Sequence, residues 1–518
     1  GKPPRRWPEQ RPARTRRWTA VYAVTSLLLS LLPSLALLPG LLVLAAFVRG
    51  AHNAGTALTH ALTAVPLATL ASLLCYALFV VVGVRALGLG LREGCHPVHG
   101  RIAWQAWATE RLMDMARVHL FPLYASLFTP VWLRALGMKV GRGVEASTVL
   151  ALPSMTTVGD GAFLADDTMV APYELGGGWL RIAPARIGKR AFLGNSGMAS
   201  GGHSVPKRGL VGVLSTAPKG AKAGSSWLGM PPMKLPRAVE TDDLSRTYSP
   251  PRRLRWARAA VELCRIVPVM CTVALAVIVL AAFEAVADRW GFGAAVAAGG
   301  ALLLAGGLVA CAVACVAKWL LVGRFRAVEH PLWSSFVWRN ELADTFVEVL
   351  AVPWLAGAVG GTPLMSLWLR SLGARIGGGV WSETYWLPEA DLVRIGDGAS
   401  VNRGCVVQTH LFHDRIMRMD EVVLGRGATL GPHGIVLPGA TIGARTTVGP
   451  ASLVMRGETL PEDSRWLGNP IASWREETVN VPSPGKTRKK AAGPATGMKR
   501  LKRVKPVGST AKTEDATA

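Results

Sequence analysis

The chain has 518 residues, a formal net charge of +25 and hydrophobic side chains at half of its positions. That apolar share excludes a disordered basic protein, and the length admits several domains. Its seven cysteines form no paired CxxC set, so neither a metal framework nor a structural disulfide is expected.

In chain order, Gly1 is followed by Arg5, Arg6, Arg11, Arg14, Arg16 and Arg17 with no small-residue cleavage site. This start (1–18) reads as an internal point of a longer polypeptide rather than a secretory signal. Apolar runs follow at 20–48 and 58–84, and again at 266–286 and 294–321. Each suffices for the roughly 20 residues that cross a bilayer core, which predicts transmembrane helix pairs within 19–86 and 263–323. Pro33 and Pro39 suggest a kinked or shortened first span. The connections 49–57 and 287–293 carry one arginine each, whereas Lys318, Arg324 and Arg326 flank the last exit. The positive-inside rule therefore predicts a multi-pass cell-membrane protein with both termini, and the regions that follow each pair, in the cytoplasm. The lysine-rich tail, 476–518, reads as a disordered arm beside anionic lipid, and no nucleic-acid partner is expected.

After each pair comes a Trp-rich amphipathic stretch, 95–138 and 324–373, read as interfacial helices. Both contain His-Pro (His96-Pro97, His330-Pro331) and both end in Trp-Leu-Arg-x-Leu-Gly, at 132–137 and 368–373. A polar, Pro-containing segment at 238–262 reads as a linker.

Hexads follow. In 139–237 the aliphatic leaders are Val158, Leu164 and Val170, then Ile187, Leu193, Ala199, Val205, Val211 and Ala217. In 374–475 they are Ile395, Val401 and Val407, then Leu424, Leu430, Val436, Ile442, Val448 and Val454. The two registers are offset by 237 positions, and both break for the same 16-residue excursion. A strict period of six with Gly, Ala or Pro after most leaders predicts a parallel β-helix, with leaders inward and small residues letting the corners turn.

The second excursion opens Val407-Gln-Thr-His410-Leu-Phe-His413. With the hexads and the later Gly468-Asn-Pro it resembles hexapeptide-repeat acyltransferases of the galactoside and maltose O-acetyltransferase type. The fold class implied is membrane α-helices plus all-β, with two tandem left-handed parallel β-helix domains. The resemblance gives His410 the role of general base toward the acceptor, with His413 secondary. An imidazole with pKa near 6.5 suits removal of an acceptor's proton at neutral pH. Asn402 and Gln408 are candidate oxyanion donors, and His433 is a coil-corner candidate, because the resemblance implies that such positions face an acyl-carrier groove between neighbouring copies. In the first copy Tyr173 replaces His410 and Gly176 replaces His413, so that copy is expected to lack the base, although Tyr173 or Glu174 could contribute to a site. Gly201-Gly-His203-Ser204 looks like a phosphopantetheine attachment motif but falls within the hexad register.

Paired spans with tandem hexad lobes also resemble the C-terminal membrane part of ε-poly-lysine synthetase-like non-ribosomal peptide synthetases, over residues 18–475. The departures are two lobes where the family has three, and no adenylation or carrier domain. The resemblance implies those domains upstream in the same polypeptide, and a phosphopantetheine-linked aminoacyl thioester as donor. It further implies an amine or growing polymer as acceptor, a lipid bilayer around the spans, and a homo-oligomer, dimeric or trimeric. No cofactor is expected to reside here. The alternatives are a stand-alone O- or N-acetyltransferase using acetyl-CoA on an envelope glycan, and a non-catalytic oligomerising scaffold.

Overall fold

The computed structural model describes residues 7–8, 12–13, 15–236 and 244–474, so the tail (476–518) and most of the first 14 residues lie outside the described residues. Four helices are long and apolar enough to cross a membrane, and that composition suits membrane association. The first, Arg16–Val48, continues through Pro33 and Pro39, so the span is not shortened. Gly40 sits where a Cβ would fall 2.7 Å from the Ala68 carbonyl oxygen, and its bare Cα admits the neighbouring helix Ala54–Gly88. Asn53 caps that helix through the Thr56 amide at 2.8 Å, in a reciprocal capping box. The second pair is Val267–Trp290 and Phe292–Leu321. Leu42 and Leu74 are 67% and 68% exposed, as lipid-facing side chains would be. Lys318, near the end of the last span, is buried and ion-paired with Asp391 at 2.7 Å. It therefore ties the helix to the strand region rather than standing free as a flanking cation.

Each hexad region folds into three parallel sheets that share one interior. In the first block one face stacks Lys139–Val140, Thr156–Val158, Ala185–Ile187 and Ser204–Val205. A second runs from Glu145–Ala146 to Ser226–Leu228, and a third joins Val149–Ala151, Thr168–Val170 and Met198–Ala199. The second block repeats this plan, for example Val406–Val407, Ile435–Val436 and Leu453–Val454 on its third face. All eighteen leaders are buried, and this apolar column is what the period of six supplies. The last strand of each block is covered by an antiparallel one, Met233–Leu235 and Ala472–Ser473, which occupies an otherwise unpaired edge.

The glycines after the leaders act differently from the expectation that they turn corners. A Cβ on Gly396, Gly425 or Gly443 would fall 2.6 Å from a backbone nitrogen of the next coil, so these positions permit close stacking of coils. The corner glycines come two residues later, as at Gly398 (φ +66°) and Gly427 (φ +64°).

Three further findings differ from the sequence reading. Each excursion is a β-hairpin rather than a loop: Glu174–Gly176 with Trp179–Ile182, and His410–His413 with Ile416–Met419. The His-Pro repeats are not interfacial helix; Gly94–Pro97 and Glu329–Pro331 add a third strand to these hairpins. Residues 238–262, read as a linker, include the helix Arg252–Leu263, whose Arg258 is buried. Its guanidinium pairs with Glu145 at 3.0 Å and Glu262 at 2.6 Å, joining this helix to the first block.

Between the blocks, the second hairpin turns through Asp414 (φ +46°) and Arg415 (φ +69°), a left-handed pair that favours smaller residues. Arg415 donates to the Gly143 and Gly161 carbonyls of the first block at 2.6 and 3.1 Å, which fixes the turn. Phe412 packs against Phe163 with ring centroids 5.3 Å apart. Removing one partner of a buried ion pair strands the other charge, at a cost of about 3–5 kcal/mol. Arg258→Ala is therefore expected to lower the thermal unfolding midpoint markedly; an unchanged midpoint would mean the Glu145–Arg258–Glu262 set contributes nothing net.

Candidate active site

The second block carries the site. Trp386-Leu-Pro leads into a short 3-10 turn, Ala390–Leu392, and Glu389 stands at its N-cap, fully buried. On the adjoining hairpin strand, His410 places its Nδ1 2.8 Å from Glu389 Oε2. Asn340 Nδ2 donates to Glu389 Oε1 at 2.9 Å, and the Thr409 hydroxyl donates to Oε2. Burial alone would raise the Glu389 pKa, but His410 and these donors hold it below its ordinary value. An ionised carboxylate only accepts hydrogen bonds, so Nδ1 carries a proton and Nε2 is the nitrogen left for chemistry. Burial pulls the His410 pKa down, yet Glu389 outweighs it and the net value is pushed up to about 9.

His410 lines a cavity of about 790 Å³. Gln408, buried, also lines it, with Nε2 3.4 Å from His410 Nε2, longer than a good hydrogen bond. The helix Ser335–Phe346 and the π-helix Val347–Ala356 contribute Glu341, Asp344 and Glu348. Burial raises the pKa of all three, Glu341 to about 7. The first block reaches the same cavity with Phe163, Asp166, Asp167 and Asn195.

The other sequence candidates lie elsewhere. His413 ends the hairpin strand opposite Ile416, with Nδ1 3.8 Å from Asp414, and does not line the cavity. The Asn402 amide is committed to the Leu430 carbonyl at 2.7 Å. His433 is an exposed coil corner with φ +57°, stacked under Gly404. Ser204 sits in a coil strand, not at the start of a helix. In the first block the place of His410 is taken by Tyr173, whose hydroxyl bonds Glu110, while Glu174 pairs with Arg181 at 3.0 Å. Among the described residues no cluster of metal-ligating side chains is present.

Sequence reasoning missed Glu389 although a signal existed. Leu152-Pro153 of the first copy repeats Leu387-Pro388, and neither Leu152 nor Ser154 offers a carboxylate where the second copy has Glu389. The acid and the imidazole are thus both found in one copy only.

Fold and site together define a membrane-helix protein with two stacked-coil strand blocks and one His–Glu pair on a cavity between them. No protein-family model matches the chain. It is 33% identical over 402 residues to a protein of Acinetobacter baumannii named delta-poly-L-ornithine synthetase, covering 76% of this chain and 30% of that protein. The chain thus spans under a third of that relative's length, and the resemblance to poly-amino-acid synthetases is borne out by it. Similar solved structures include a galactoside acetyltransferase in complex with coenzyme A (18% identity, 21% of this chain and 68% of that chain, TM-score 0.19). Another is a hexapeptide-repeat acetyltransferase of Vibrio cholerae (20% identity, 21% and 77% covered, TM-score 0.18).

Proposed function

We propose that the chain is the amide-forming, membrane-associated part of a poly-amino-acid synthetase, with two duplicated left-handed β-helix domains of which the second is catalytic. The observation that carries this is His410 on the cavity, held by buried Glu389 at 2.8 Å. The A. baumannii relative, named as a delta-poly-L-ornithine synthetase, supports poly-amino-acid formation as the reaction class. The donor is an aminoacyl thioester on a phosphopantetheine arm, brought by adenylation and carrier domains of the same polypeptide. An acceptor amine attacks the thioester carbonyl while His410 Nε2 takes the amine proton; the C–N bond forms, the C–S bond breaks, and the thiolate leaves with a proton. Gln408, on the same cavity, is assigned the donor to the developing oxyanion, a role worth about 10²–10³-fold in comparable sites. Asn402, committed within its coil, is not assigned this role. The test is amide formation by the full chain from an aminoacyl pantetheine thioester and an amine; no product from the wild type with a competent donor would refute it.

The same reading places both strand blocks and both termini on the cytoplasmic side, where charged donor domains are made. Single cysteines introduced at exposed coil corners should resist a membrane-impermeant thiol reagent applied outside intact cells, whereas one at His52, between the first two helices, should react. Labelling of the coil corners from outside would reverse the topology.

A further inference from the structure

We infer that the first strand block completes the acceptor site: Asp166, with Glu341 and Asp344 of the second half, forms a cation-binding wall facing His410, which selects acceptors carrying an ammonium group beside the reacting amine. This rests on the amide-forming reading above and assigns residues from both halves to one site.

Two independent observations meet here. One is the cavity of about 790 Å³ with His410 in its lining and Glu389 buried behind it, a space already furnished for a substrate. The other is the state of its carboxylates. Among the described residues, the Glu341 and Asp344 side chains have neither a hydrogen bond nor an ion pair, although both are partly buried and line that space. Asp166 is held by the hydroxyls of Ser147 and Thr148, not by a cation. Two of the three arginines in the lining, Arg117 and Arg258, are already engaged, and the third, Arg403, is an exposed side chain at a coil corner. Arg117 pairs with Asp167 at 2.7 Å and Asp114 at 3.0 Å. Arg258 is bound to Glu145 and Glu262. Arg265 donates to Thr345 Oγ1 at 2.9 Å and to the Tyr124 carbonyl at 2.8 Å.

The carboxylates are close enough to feel one another. Asp166 acts to raise the pKa of Glu341, Asp344, Glu348 and His410 alike. Arg265 offsets part of this for Glu341 and Asp344, but burial and the neighbouring carboxylates still raise both, and a bound ammonium would relieve that remainder. The acceptor class that fits is a diamine or diamino acid, whose second amine stays protonated while the first attacks. A neutral monoamine of the same length leaves the wall uncompensated. The first block, which lacks its own imidazole, thereby has a function in the second block's site through Asp166.

The test compares 1,5-diaminopentane with pentylamine as acceptors for the full chain and an aminoacyl pantetheine thioester. Wild type should favour the diamine in kcat/KM by about tenfold or more, the scale of one charge-assisted contact. Asp166→Asn and Glu341→Gln should each erode that preference several-fold, mainly through the diamine's KM. Calorimetric binding of 1,5-diaminopentane to His410→Ala should persist and weaken when Asp166→Asn is added, which reads the wall without turnover. An unchanged diamine-to-monoamine ratio in both carboxylate variants, or unaltered diamine binding after Asp166→Asn, would overturn the inference. His410→Ala retaining activity would instead refute the base assignment and leave the wall to the binding result.

Discussion

Replacing His410 by Ala, or Glu389 by Gln, should each lower amide formation by about 10²-fold or more, and the double variant should be little worse than His410→Ala. The two side chains act as one unit: Glu389 fixes the proton on Nδ1 and so turns Nε2 into the acceptor of the amine proton. Once the imidazole is gone the carboxylate has nothing to orient, so the separate losses cannot add. His410 sits in a paired strand against a fully buried carboxylate, so its truncation also costs stability, about 1–3 kcal/mol, because Glu389 keeps Asn340 and Thr409 but loses its charged partner. A loop position would have cost far less. Unfolding midpoints must therefore accompany the rates; losses that multiply in the double variant would mean the two residues act separately.

The pH dependence should be equally large. In the resting site the Glu389 carboxylate keeps His410 protonated until about pH 9, and a protonated imidazole cannot act as a base. kcat/KM is thus expected to climb through neutral pH and level off near pH 9. In Glu389→Gln the raising charge is gone and burial, which favours the neutral ring, dominates, so the climb should move well below pH 9. The acceptor's own ionisation is common to both proteins, so the ratio of their profiles isolates the histidine. An ammonium bound beside the ring would also lower its pKa by repulsion, making the base available as the acceptor arrives. The stability linkage has the same origin: a folded-state pKa above the free value of 6.5 stabilises the protein below about pH 6.5, and that contribution fades as pH rises through about 9. Identical profiles for wild type and Glu389→Gln would detach the carboxylate from the histidine's titration.

The period of six made the coil interior legible, because each leader is an aliphatic side chain whose burial is local to its own coil; from Val158 to Val454 all are inside. The hairpin was not legible, since His410–His413 pairs with Ile416–Met419 outside the hexad register, and that second strand is in turn paired with Glu329–Pro331, about eighty residues earlier. Glu389 was hidden for a related reason: a single carboxylate before a hexad gives no pattern, and only comparison of the two copies at Leu387-Pro388 would have marked it. Glu341, Asp344 and Glu348 fall at i, i+3 and i+7 in an apolar context, a one-sided acidic stripe that helical spacing could have marked. Asp166 could not be found that way. It belongs to a coil corner of the first block, and its relation to His410 exists only once Arg415 and Phe412 have set the two blocks against each other.

The most direct measurement is mass-spectrometric detection of product after the full, membrane-inserted chain meets an aminoacyl pantetheine thioester and 1,5-diaminopentane. An amide from the wild type, and at most about a hundredth as much from a folded His410→Ala protein, is the predicted result. Equal amounts from the two proteins, or none from the wild type with an intact donor, would contradict the assignment of amide formation to this cavity.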